Sequence, residues 1–209
     1  MSITLNSLDF ENLFDEYDII VIKNIMNTEI TAREKWQHED FRPVYEKAKL
    51  KLLENQKRTC FYCQKRLHYI TNEDWHIDHI VSIDEDARHV FTEFNLILSC
   101  KWCNRRKNSK PVIVKKLTGA VYSTSAANYR IIHPRYDKYS DHIDILADTL
   151  YTGITAKGRY TKDVCNLERF HLAFVTGLSS ENRSFVNGAM RLIFSDNPKQ
   201  LIDFIKSLD

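Results

Sequence analysis

Hydrophobic and polar positions first define a helix over residues 41–57, where Phe41, Val44, Tyr45, Ala48 and Leu52 recur at helical spacing. Asp40 stands where an N-cap is wanted, Pro43 suits the first turn, and Lys47, Lys49, Lys51 and Glu54 solvate the opposite face. The next pattern is the apolar-rich run Trp75-His-Ile-Asp-His-Ile-Val-Ser-Ile83, which predicts a short half-buried strand. A long polar loop, residues 84–94, separates it from a second short strand at Asn95-Leu-Ile-Leu-Ser99, and a basic helix starts near Lys101. Residues 120–154 alternate short apolar and polar runs. Residues 149–161 read as a hairpin leading into a helix capped by Thr161. Two further helices are expected, one after Ser179-Ser180 and one from Asn197-Pro198. The last carries a broad apolar stripe (Leu201, Ile202, Phe204, Ile205, Leu208) that either closes the core or docks a partner. The mixture predicts an α+β protein, without repeats, low-complexity segments or an obvious linker.

Composition narrows the classes of function. With 209 residues, 43% hydrophobic and 11% aromatic, the chain can bury a real core as one domain with extensions or as two small domains. No apolar run approaches the roughly 20 residues of a membrane span, the longest near the start being Ile19-Ile-Val-Ile22. Residues 1–18 contain Asp9, Glu11, Asp15, Glu16 and Asp18 but no Lys or Arg, the opposite of a secretory leader, so a cytoplasmic protein is expected. The five glycines form neither GxGxxG nor GxxxxGK[ST], which argues against nucleotide hydrolysis and dinucleotide redox chemistry.

A net charge of +2 conceals local asymmetry. Lys101, Arg105, Arg106, Lys107, Lys110, Lys115 and Lys116 follow Cys100 with no acidic residue among them, and Lys57, Arg58, Lys65 and Arg66 flank Cys60 and Cys63. Solvated surface explains either cluster alone. Their shared position beside cysteines points instead to a phosphate-binding face.

Cys60-Phe-Tyr-Cys63 and Cys100-Lys-Trp-Cys103 supply two C-x2-C pairs, the short spacing from which a tetrahedral zinc ion is bound. Two disulfides or two redox dithiols are the alternatives. An expected reducing compartment disfavours the first, and the missing βαβ context disfavours the second. Cys165 stands alone and reads as a buried small hydrophobe. Between the pairs lie 36 residues, enough for a folded insert, and within it His76, Asp78 and His79 fall inside four positions.

With Asn95, Asn104 and Lys107 added, these residues resemble the HNH endonuclease family, whose ββα-metal site is framed by a zinc knuckle. The resemblance implies a zinc-stapled ββα-metal nuclease core over residues 58–116, a helical N-terminal extension over 1–57 and a mixed, mostly helical C-terminal region over 117–209. Most such nucleases place a histidine after the second cysteine pair. Asn104 stands there instead, as in the HNH domain of RNA-guided CRISPR nucleases. Cys60, Cys63, Cys100 and Cys103 would then hold structural Zn²⁺, while Asp78 and Asn104 would hold one catalytic Mg²⁺ or Mn²⁺. His79 suits the general base, because imidazole titrates near neutrality and accepts a proton from water. Asn95 would hold the catalytic loop and orient that base, and Lys107 would contact phosphate. His76, two residues before Asp78, shares its strand face and is either a ligand or substrate contact or a partly buried structural histidine.

The activity implied is metal-dependent cleavage of phosphodiester bonds in nucleic acid, with DNA favoured. An RNase acting on tRNA, or a catalytically silent zinc-knuckle binding module, are the alternatives. His133-Pro-Arg-Tyr-Asp137, Lys157-Gly158 and Asp163 through Arg169 further resemble the stand-alone HNH effectors of Septu- and retron-type anti-phage systems. That likeness implies a role in bacterial defence and a separate ATPase or sensor partner, against the alternative of a chain acting alone or as a homodimer.

Overall fold

The structure is a computed structural model and describes residues 5, 7–8, 12–66, 74–114, 121–146 and 148–171. Three helices come first: α1 (Glu16–Met26), α2 (Ala32–Trp36) and α3 (Arg42–Asn55). Each of the first two opens on a reciprocal capping box. Asp15 and Asp18 form that of α1, Thr31 and Glu34 that of α2. Asp40 does not cap α3. A 3-10 turn over Glu39–Phe41 runs straight into the helix, so Phe41 occupies the cap position without a side-chain bond, and the His38 ring accepts from the Asp40 amide instead. Lys47 on α3 bridges Asp15 and Asp18 at 2.6 and 2.7 Å, and Lys51 donates to the carbonyls of Asn12 and Leu13. Two residues of the acidic N-terminal stretch, Asp15 and Asp18, therefore fasten α1 to α3.

The predicted strands and basic helix follow as β1 (Trp75–His79), β2 (Leu96–Cys100) and α4 (Lys101–Lys107). The two strands pair antiparallel, with Trp75 opposite Cys100 and His79 opposite Leu96. Every residue of β2 is buried, as its continuous apolar run requires. Its outer edge is satisfied by one side chain: Gln56, just past α3, accepts from the Leu98 amide at 2.7 Å and donates to the Leu98 carbonyl at 2.8 Å, standing in for a third strand at that position.

The segment expected to be a long polar loop is more ordered than its composition suggests. Two 3-10 turns, Ala87–His89 and Glu93–Asn95, shape it, and Val90 and His89 are buried. Phe91 packs against Trp36 and Phe41. Glu85 ties it to the chain beyond α4 by accepting from the amides of Val112 and Ile113. Polar residues such as Glu85, Asp86 and Glu93 are engaged in hydrogen bonds within the fold, which is why polarity alone misjudged the segment.

Downstream, β3 (Ile143–Leu146) and β4 (Leu150–Gly153) form an antiparallel hairpin that leads into α5 (Ala156–Val164). The hairpin was anticipated too late in the chain, and the helix is capped by Thr155, not Thr161. The Thr155 hydroxyl accepts from the Gly158 amide, as an N-cap must. Thr161 lies inside the helix, donating to the Lys157 carbonyl and accepting from the Ile132 amide. Gly158 is forced: a Cβ there would sit 1.8 Å from the His142 carbonyl oxygen. The two helices expected after Ser179-Ser180 and from Asn197-Pro198 lie outside the described residues. Among the described residues one apolar cluster runs from Leu5 through Leu52, Tyr62, Trp75 and Leu96 to Leu167, so the described parts of the three expected segments pack on one core. Cys165 is fully buried within it.

The C-terminal flank reaches the central loop through a buried relay. The His133 ring accepts from the Arg135 amide at Nδ1, so Nε2 carries the proton and donates to the Tyr122 oxygen at 2.9 Å. Tyr122 in turn donates to Asn95 Oδ1 at 3.2 Å. Burial, with Arg135 and Lys157 nearby, pulls the His133 pKa down to about 3. An unfolded histidine titrates near about 6.5. Between those values the unfolded chain binds a proton that the folded chain refuses, so this contribution is complete above about pH 6.5 and is lost as pH falls towards 3. Urea titrations between pH 7 and 5 should therefore show His133→Gln losing stability less steeply than the parent, by up to about 1.4 kcal/mol per pH unit. Equal slopes would mean that His133 titrates in the fold as it does in the unfolded chain.

Candidate metal centre and active site

The Cys60–Cys63 turn is built on strained backbone. Lys57 and Arg58 enter it with φ of 50° and 56°, and Gln64 leaves it at 55°, all in the left-handed region. Gln64 is held there by three bonds: it donates to the Phe61 and Leu5 carbonyls and accepts from the Leu5 amide. The turn meets the corner where β2 becomes α4, since Cys100 ends the strand and caps the helix while Cys103 lies on the helix's inner face. All four cysteines are buried and free, and their sulfurs lie within 4.8 Å of one another. Cys63 and Cys100 are 3.9 Å apart, against the ~3.8 Å edge of a tetrahedron with Zn–S bonds of ~2.3 Å.

The thiols compete for charge. Cys100 is pulled down by hydrogen bonds from Cys103, Cys60 and Cys63. Burial pushes Cys60 up, and bonding to Cys100 pushes Cys63 and Cys103 up. A bound divalent cation would let all four ionise. Arg169 donates to Cys103 Sγ at 3.2 Å, and although burial works against its charge, the neighbouring Cys103 raises its pKa overall. A guanidinium in that position offsets part of the double negative charge of a metal tetrathiolate. The donor set and geometry fit zinc.

Tyr62, inside the same turn, connects this cluster to the next. Its hydroxyl donates to Asp78 Oδ2 at 2.7 Å, and Lys107 on α4 donates to Asp78 Oδ1 at 3.1 Å and to the His79 carbonyl at 2.7 Å. Asp78 and Lys107 are 4% and 1% exposed, so the pair belongs to the interior. This burial corrects the expected place of Lys107: its ammonium stands behind Asp78, not at a surface where phosphate arrives. Each carboxylate oxygen uses one bond there and keeps further acceptor capacity.

His79 closes β1, and the chain bends at Ile80. Asp78 and His79, which would face opposite sides of an ideal strand, both line one groove there. His79 Nε2 lies 2.8 Å from the Val90 carbonyl, an acceptor only, so Nε2 carries the proton and Nδ1 keeps its lone pair. Trp36 packs edge-on against the ring with centroids 4.3 Å apart. Burial draws the His79 pKa down to about 4, with the Val90 carbonyl and Asp78 opposing and Lys107 assisting, so the ring is neutral at pH 7.

The groove encloses about 720 Å³ counting its open solvent, and its lining includes His76, Asp78, His79, Asp84, Asn104 and Asn108. Arg33 and Asp84 pair across its mouth at 2.8 Å. Asn104 is half-buried on the α4 flank facing the groove; a carboxylate and an amide carbonyl beside open space form a hard-oxygen donor set that fits a Mg²⁺ or Mn²⁺ keeping most of its waters. Asn95 stands elsewhere, fully buried under the loop. Its Oδ1 accepts from the Val81 amide, and its Nδ2 donates to the carbonyls of Val81 and His89. The structure thus gathers Asp78, His79, Asn104 and His76 at one groove, and sets Asn95 and Lys107 behind it. Tyr62, Trp36, Tyr122 and Arg169 were missed, as aromatic and basic residues carry no spacing signal that separates these roles from packing.

Residues 60–110 match the family model described as HNH endonuclease. The matched HNH segment runs from the first cysteine to just past α4 and so contains both cysteine pairs and the groove residues Asp78, His79 and Asn104. No curated protein and no solved structure matches the chain.

Protein purified without added metal should contain about one zinc per chain by elemental analysis, and Cys60→Ser or Cys103→Ser should fold poorly, because metal-binding energy in such sites is largely folding energy. A zinc-free chain with the same thermal midpoint would exclude a structural ion.

Proposed function

We propose that the chain is a metal-dependent HNH endonuclease that hydrolyses phosphodiester bonds in nucleic acid, with DNA the favoured substrate. The observation that carries this reading is the shared groove of Asp78, His79 and Asn104, set on a cysteine-clustered core within the segment that matches the HNH model.

In this reading His79 receives the proton of the attacking water at Nδ1. The Val90 carbonyl fixes the tautomer that makes this possible, and Trp36 restrains the ring against rotation. Asp78 and Asn104 would hold a divalent ion, which when bound supplies Lewis-acid stabilisation of charge on the phosphate and leaving oxygens. Tyr62 and Lys107 fix the Asp78 carboxylate so that it need not reorganise as charge develops. The zinc cluster would serve structure alone, since four protein thiolates leave no open position for substrate. A silent nucleic-acid-binding module would need neither an oriented neutral imidazole nor an adjacent carboxylate.

Purified protein incubated with plasmid, single-stranded DNA and tRNA should cleave in Mg²⁺ or Mn²⁺ and not in EDTA. His79→Ala should lower the rate by about 10²–10⁴-fold with zinc content unchanged, and Asp78→Ala should lose activity together with its dependence on the ion. Near-normal cleavage by His79→Ala would return the balance to the binding module.

The likeness to Septu- and retron-type effectors supports a further part of the proposal: the chain acts in anti-phage defence in the cytoplasm, restrained by a separate ATPase or sensor subunit. Among the described residues no helix is long and apolar enough to cross a membrane. Exposed Tyr17, Ile20 and Met26 on α1 offer apolar surface for such contact. Co-expression with the product of the neighbouring reading frame should give one peak on size-exclusion chromatography with suppressed cleavage. A chain that elutes alone or as a homodimer and cleaves at full rate removes the partner.

A further inference from the structure

Helix α4 presents to solvent a surface that the groove chemistry does not use. Winding at about 100° per residue sets Asn104, Lys101, Arg105, Trp102 and Arg106 side by side in that order, with Cys103 and Lys107 turned into the core. Trp102 is 61% exposed, and Lys101, Arg105 and Arg106 are exposed around it. A single exposed apolar side chain is ordinary. This one is flanked by three cations whose charged side-chain groups make no ion pair or hydrogen bond among the described residues, on a stretch from Cys100 to Lys116 without one acidic residue. The strip begins at Asn104, which lines the groove, and runs outward from it.

We infer that this strip is a binding track for unpaired nucleotides, on which Trp102 stacks a base while Lys101, Arg105 and Arg106 take the flanking phosphates. The inference rests on the reading of the chain as a nucleic-acid enzyme and adds the form of the substrate: a single strand leading into the groove. Cations alone suit any polyanion, single- or double-stranded. An exposed indole face between them adds a preference, because a base inside a duplex has both faces covered by its neighbours, whereas an unpaired base has a face to offer. Stacking is tolerant of base identity, so the track selects strandedness rather than sequence. Rigidity favours the role as well. Trp102 lies between Cys100 and Cys103, both held in the sulfur cluster, so the platform beneath it is fixed before any strand arrives.

The test uses the full chain carrying His79→Ala, so that probes survive, and reads fluorescence anisotropy with oligothymidylate, oligouridylate and a duplex of equal length. Both single strands should bind more tightly than the duplex, their ratio reporting which sugar is preferred. Adding Trp102→Ala should weaken single-strand binding by about tenfold or more, with Trp102→Phe restoring most of it and duplex binding nearly unchanged. Arg105→Ala and Arg106→Ala should each reduce the slope of log affinity against log salt by about 0.7. Zinc content and thermal midpoint, unchanged by Trp102→Ala, separate lost stacking from lost fold. Single-strand binding that ignores Trp102, or a duplex preference that Trp102→Ala weakens equally, overturns the inference. If the parent without His79→Ala cleaves nothing yet binds through Trp102, the proposed nuclease activity fails and the track stands; if it cleaves but binding ignores Trp102, the reverse holds.

Discussion

Four cysteine sulfurs converge within 4.8 Å in the buried interior, mutually repulsive as thiolates and arranged as a cation such as zinc would hold them. Everything near the groove is referred to that point. The turn carrying Cys60 and Cys63 also carries Tyr62, whose hydroxyl meets Asp78. The corner carrying Cys100 and Cys103 sets the start of α4, and α4 carries Lys107 and Asn104. The hairpin flank is tied to the same turn, through Tyr139 donating to the Tyr62 carbonyl and Tyr151 donating to that of Cys63. Loss of the cluster would release the carboxylate, the helix and the flank together.

The Asp78–Lys107 pair shows a different economy. A buried ion pair gains little net stability, because desolvation of both charges offsets their attraction, yet removing one partner costs about 3–5 kcal/mol. Such a pair is therefore a device for placement. Lys107 compensates Asp78 while no other cation is near, and its second bond, to the His79 carbonyl, fixes the backbone between the two groove residues. A carboxylate held this way is ready for an ion without being free to swing away from it.

What could be read from the sequence follows a physical division. Spacing revealed the cysteine pairs, apolar runs revealed β1 and β2, and the basic run after Cys100 revealed α4, because ligand geometry and strand burial leave local marks. Asp78, His79 and Asn104 were found by their order in the chain, and the structure gathers them at one groove. Caps were harder: the Asp40 and Thr161 assignments failed because a 3-10 turn runs straight into α3 and because α5 opens at Thr155, six residues earlier. Long-range partners left no mark at all. Gln56 replacing a strand at Leu98, Tyr62 meeting Asp78, and Lys107 turned inward each depend on a contact 16 to 42 residues away in the chain that no periodicity encodes.

Charge is spent unevenly over the molecule, and the unevenness has direction. Asp15 and Asp18 are consumed by Lys47, Glu85 by two backbone amides, Asp86 by Arg88, and Asp137 by Lys157. The outer cations of α4 are left with no such partner among the described residues, although a net charge of only +2 means acidic groups were nearly abundant enough to pair them. Each acidic residue that folding has already engaged is one that cannot neutralise this helix. Unpaired positive charge therefore stands on the helix that also carries Asn104, beside the groove, whereas at the α1–α3 contact Lys47 is engaged by two carboxylates.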